Sequence, residues 1–104
     1  MTSLLVDTHV LLWWRGDHRR ISARAREAIA NPDLPLFFSA VSIWEIAIKR
    51  ALGKLDAPES LLDTMAQRGF LEMSVLSRHA VLAGALPAHH GDPFDRMLVA
   101  QAQI

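Results

Sequence analysis

The sequence predicts an α/β fold with a mostly parallel sheet. Three short apolar runs, Leu4–Val6, Leu36–Phe38 and Phe70–Leu76, alternate with longer segments of helical period. Read in order, the elements run β-α-α-β-α-α-β-α-α, the arrangement that builds a sheet from crossover connections. The composition agrees: 51% of the residues are hydrophobic and 21% charged, with five Gly and five Pro in 104 residues. That balance excludes a disordered chain, which needs low hydrophobicity and high net charge.

Each element has a local cause. Leu4-Leu5-Val6 is ended by Asp7, as suits a buried parallel strand. Thr8 to Trp14 forms a short helix, with Thr8 as its N-cap. Ser22 precedes the helix Ala23–Ala30, which Asn31-Pro32 closes. Leu36-Phe37-Phe38 is the second strand. Val41 to Leu52 is a helix that stops at Gly53, and Ser42 followed by Glu45 has the spacing of a capping box. Pro58 opens a helix to Arg68 that Gly69 stops. Phe70 to Leu76 is the third strand. A helix runs from Ser77 to Leu86, and a last one begins at Asp92-Pro93 and continues to the end of the sequence.

Cysteine is absent, so no disulfide framework or thiolate site is available, and a reducing cytoplasm suits the chain. No apolar run approaches the roughly 20 residues of a membrane span, and the first residues lack the charged and apolar regions of a signal peptide. Lys plus Arg and Asp plus Glu are both 11, so net charge points to no polyanionic partner. Locally, Arg15, Arg19, Arg20, Arg24 and Arg26 are opposed only by Asp17, and form either a solvated helix face or a phosphate-contacting patch. Nucleotide-cradling glycine motifs and the Gly-x-Ser-x-Gly elbow are missing from the sequence.

In parallel sheets, ligands sit beyond the carboxyl ends of the strands. Asp7 follows the first strand, Ser39 the second, Glu45 lies one to two turns into the next helix, and Asp92 and Asp95 open the last. Such carboxylates can converge on one crevice and hold a hard divalent cation, which suits metal-assisted phosphodiester hydrolysis. Every acid also has a structural reading. Asp7 can cap its helix, Glu45 can complete the capping box or pair with Lys49, Asp92 before Pro93 is a good N-cap, and Asp95 suits the helix dipole. His89-His90-x-Asp92 lacks the helical spacing of a zinc site, and His9 packs or hydrogen-bonds near the crevice.

These residues resemble a known family. Leu4–Trp14, Ser39–Lys49 and His90–Ala102 are similar, in order, spacing and flanking residues, to the three acidic motifs of PIN-domain proteins, specifically the VapC-like toxin ribonucleases. The resemblance implies a three-layer α/β/α domain over residues 1–104, shortened at its C-terminal end relative to the family, which continues with a further strand and often a fourth acid. It implies an Mg²⁺- or Mn²⁺-dependent endoribonuclease with Asp7, Glu45 and Asp95 as the catalytic acids and Asp7 and Asp95 as metal ligands. Asp92 becomes an outer-shell group, and Ser39 the hydroxyl that orients the cluster. A homodimer and a small cognate antitoxin are implied as well. Two other expectations compete: a PIN-like protein that grips an antitoxin without cleaving RNA, and a receiver-like phosphoacceptor domain.

Overall fold

The computed structural model describes residues 3–16, 18–55, 60–87 and 91–103. Its strands are β1 (Leu4–Val6), β2 (Leu36–Ser39) and β3 (Leu71–Met73), and its helices α1 (Thr8–Gly16), α2 (Ala23–Ala30), α3 (Ala40–Ala51), α4 (Leu61–Arg68), α5 (Ser77–Ala85) and α6 (Pro93–Gln103). Among the described residues, a 3-10 turn at His18–Arg20 lies between α1 and α2 in the chain. The sheet has the order β1-β2-β3 and every pairing is parallel, so the expected α/β class holds. In register, Leu4 lies beside Leu36 and Val6 beside Phe38. Both strands therefore end at the same level, and α1 and α3 start side by side.

Alternation along a strand puts Leu4 and Val6 on one face and, beside them, Leu36 and Phe38. Val6, Leu36 and Phe38 pack with Leu11 of α1, Ile29 of α2, Ile46 of α3, Leu61 and Met65 of α4, and Phe70. Leu11 and Met65 are wholly buried. Trp14 leans edge-on against Phe70, with ring centroids 5.1 Å apart, and the Arg68 guanidinium donates to the Ile29 carbonyl at the end of α2.

Three boundaries differ from expectation. The third strand is shorter than Phe70–Leu76, because β2 offers it only Phe37–Ser39 as pairing partners. Asp7 rather than Thr8 supplies the side-chain cap of α1, its Oδ1 accepting the Val10 N–H at 2.9 Å. The Ser42–Glu45 capping box is absent. Helix α3 begins directly after β2, so Ser39 is its N-cap, with Oγ accepting the Val41 N–H at 3.1 Å. Ser42 is thereby drawn inside the first turn, where its buried Oγ accepts the Thr8 hydroxyl at 2.9 Å. The other stops agree with the sequence: Asn31 caps α2, and Gly53 and Gly69 follow α3 and α4 with φ of 70° and 93°, backbone that a side chain would strain. Pro58, expected to open α4, lies outside the described residues.

Among the described residues, Arg96 makes the most hydrogen bonds between α6 and the end of α5, and Gln101 adds a contact to His79 of α5 and a bond to the Ser74 carbonyl. Arg96 Nη2 donates to the carbonyls of Ala83, Gly84 and Leu86 at 2.7, 3.2 and 3.0 Å, and Nη1 to Pro87 at 3.1 Å. These are the carbonyls at and just past the end of α5, where a helix runs out of backbone donors; Ala83 also accepts a backbone bond, from the Leu86 N–H at 3.4 Å. A rigid guanidinium fork can reach several of them together, where a lysine ammonium is a single point. Arg96→Lys should therefore cost roughly 1–3 kcal/mol in urea-induced unfolding although it keeps the charge. A loss below about 0.5 kcal/mol, the ordinary range for a surface change, would show that the fork is not needed.

Candidate active site

The carboxyl ends of β1 and β2 open onto a cavity of about 370 Å³ lined by Asp7, Thr8, His9, Glu45, Gly91, Asp92, Asp95 and Leu98. Asp7 comes from the end of β1, Glu45 from α3, and Asp92 and Asp95 from the start of α6. The three acids of the sequence reading, Asp7, Glu45 and Asp95, thus face one space with Asp92 beside them. Ser39, expected to orient them, is fully buried as the cap of α3 and does not line the cavity. His89 and His90 lie outside the described residues. His9 is exposed on the cavity wall, its ring 5.9 Å from that of Trp13.

The acids divide their oxygens between helix and cavity. Asp7 caps α1 through Oδ1. Asp92 caps α6 in the same way, Oδ1 accepting the Phe94 N–H at 2.9 Å, with Pro93 at the first helical position. Each thereby has its carboxylate fixed by its own backbone, and capping does not use its second oxygen. Asp95 lies in the first turn of α6, where the dipole favours an acid. Glu45 is buried, 4% exposed, and a buried carboxylate needs a partner. It has one in Lys49, a helical turn on, whose Nζ donates to Oε2 at 2.5 Å. That hydrogen bond, with the negative charges of Glu45 and Asp92, raises the Lys49 pKa above its ordinary 10.5 against the opposing effect of desolvation.

A family model for the PIN domain matches residues 4–104. The chain belongs to the PIN-domain family. This PIN domain is also 32% identical over 109 aligned residues to Ribonuclease VapC22 of Mycobacterium tuberculosis, an alignment covering 98% of this chain and 80% of that protein. It is thus a VapC-like member of the family. No solved structure gives a significant match.

The four carboxylates that line the cavity are the oxygen donors a hard divalent cation prefers. Among the described residues, no three His, Asp or Glu side chains stand close enough to share one ion. Mg²⁺ does not need three, since it is held by one or two carboxylates and keeps several waters. Among the described side chains, the arginines of the α1–α2 region do not line the cavity. Arg19, Arg20, Arg24 and Arg26 are exposed, and the Arg20 guanidinium lies 5.4 Å from the centroid of Trp13. The Arg15 side chain and Asp17 lie outside the described residues.

Capping and charge can be separated at Asp7. Asn caps a helix as well as Asp does, and Ala does not. Asp7→Ala should cost about 1 kcal/mol of stability in chemical denaturation, whereas Asp7→Asn should stay within a few tenths of the parent. Equal losses in the two variants would show that the charge, not the cap, holds the start of α1.

The Lys49–Glu45 pair makes a prediction about pH. A group whose pKa is raised by folding contributes stability that is complete below its unfolded value and disappears as pH rises through its folded value. The melting temperature of the parent should therefore fall more steeply than that of Lys49→Met between about pH 10 and 12. Parallel curves would show that the pair contributes nothing to folding.

Proposed function

We propose that this protein is a metal-dependent endoribonuclease, the toxin of a toxin–antitoxin pair. The observation that carries the reading is the convergence of Asp7, Glu45 and Asp95, from three distant parts of the chain, on one solvent-reaching cavity. The similarity to a protein named as a ribonuclease supports it. Asp7 and Asp95 are the residues that would hold the cation, Mg²⁺ or Mn²⁺. The chemistry such a cation supplies when bound is polarisation of the phosphate and neutralisation of developing charge.

The side chains of this chain do the rest. Asp7 enters the site already aimed, because its Oδ1 is tied to the Val10 N–H. Glu45 is held by Lys49, which leaves Oε1 outside the ion pair and able to orient a water or accept its proton. Asp92 supports the site from the cap of α6, one turn before Asp95. Arg96, next to Asp95, ties the start of α6 to the end of α5 and so fixes the height of both acids in the cavity. The reading extends to a cytoplasmic homodimer whose cavity is covered by a small antitoxin.

The test is cleavage of single-stranded RNA by the full chain with Mn²⁺ and with EDTA. Groups that only orient a metal's ligands are worth about 10–100-fold, so loss of a direct ligand should cost more. Asp7→Asn and Asp95→Asn should each lower the Mn²⁺-dependent rate by roughly 10²-fold or more while folding normally. Cleavage that survives both changes, or that ignores EDTA, would reject the assignment. Tight antitoxin binding with no cleavage under any metal would favour the non-catalytic reading.

A further inference from the structure

We propose that Trp44, braced by Phe94, is a stacking platform for an unpaired RNA base beside the scissile phosphate; this rests on the ribonuclease reading above. Tryptophan is usually well buried, and Trp13 and Trp14 are both at least partly covered. Trp44 is 60% exposed, in the middle of a regular helix whose neighbouring residues do face the protein. Its ring is nevertheless fixed. It meets Phe94 at 5.2 Å between centroids and an interplanar angle of 72°, the edge-to-face arrangement that aromatic quadrupoles favour. Such a contact holds the indole while leaving ring surface open to solvent.

The position of the pair gives it a use. Trp44 immediately precedes Glu45, and Phe94 lies between Asp92 and Asp95. Neighbouring Cα atoms are about 3.8 Å apart, and a helical step of about 100° turns Trp44 outward where Glu45 turns in. Neither ring lines the acidic cavity; the aromatic pair stands beside it, where α3 meets α6 and each ring is a chain neighbour of a lining acid. Four carboxylates line that cavity, and the chain as a whole carries no net positive charge. Those carboxylates repel a polyanion except where a cation offsets them, so a contact indifferent to charge adds affinity close to the reacting phosphate. Stacking of a base on an aromatic ring is such a contact, and it is tolerant of sequence because every base has a π-face. It also demands an unpaired base, since a duplex hides both faces of its bases in the stack.

The experiment uses the full chain with Mn²⁺, reading both cleavage kinetics and equilibrium binding of a labelled single-stranded RNA. Trp44→Ala should raise KM and Kd about 10-fold or more, with kcat within about twofold. Trp44→Phe, which keeps a ring, should recover most of the loss. Because Trp44 is 60% exposed, Trp44→Ala should lower the melting temperature by no more than the lost contact with Phe94, and both variants should fold. Removing single bases along the RNA should weaken binding at one position for the parent and at none for Trp44→Ala, the signature of a direct pairing between base and ring. Unchanged KM and Kd in Trp44→Ala overturn the proposal and leave the nuclease reading standing, and a loss confined to antitoxin binding assigns the ring to a protein partner instead. RNA binding that depends on Trp44 without any cleavage upholds the platform and removes the nuclease. A parent that neither binds nor cleaves RNA overturns both.

Discussion

The buried hydrogen bond from the Thr8 hydroxyl to Ser42 Oγ joins the first turns of α1 and α3, and the acidic cavity depends on that junction. It exists because β1 and β2 are parallel and in a register that ends them together, Val6 beside Phe38. Two helices that leave adjacent strands at one level must place their N-termini next to each other, and the groups there must be satisfied away from water. Thr8 and Ser42 do so across the junction, Ser39 does so for α3, and Asp7 does so for α1. Lengthening either strand by a residue would reverse the facing of every side chain beyond it and separate Asp7 from Glu45.

The same geometry explains why capping and chemistry are not competing roles for these acids. A helix N-terminus attracts negative charge, so it lowers the cost of gathering carboxylates in one place. Asp7 and Asp92 are each anchored by one oxygen to a backbone N–H two or three residues on. Anchoring spends one acceptor and immobilises the other, which is what a preorganised site needs. Glu45 lies too deep in α3 for a helix end to help it, and it is held by Lys49 instead. Among the described residues no strand leads into the helix that brings Asp92 and Asp95, and Arg96, bonded to the carbonyls past the end of α5, and Gln101, bonded to the Ser74 carbonyl, help to place it.

The legible parts of this molecule are those whose causes are close in sequence. The strands at Leu4 and Leu36, the stops at Asn31, Gly53 and Gly69, and the cap formed by Asp92 before Pro93 follow from two to five residues each. The Ser42–Glu45 spacing misleads for an instructive reason. It is a sound capping signal, but the helix starts three residues earlier because Ser39 ends a paired strand and caps the helix itself. Strand β3 falls short of its apolar pattern because an edge strand extends only as far as its neighbour pairs with it.

By itself, the sequence determined the order of strands and helices, the helix stops at Asn31, Gly53 and Gly69, and the acids that stand at the strand exits, since periodicity, capping and turn conformation act over a few residues. Only the tertiary structure decided that Thr8 reaches Ser42 across 34 residues, that Arg96 closes the end of α5, and that Trp44 meets Phe94. These pairings depend on strand register and helix placement, which the whole core sets. No local pattern encodes a distance between segments that meet only after folding.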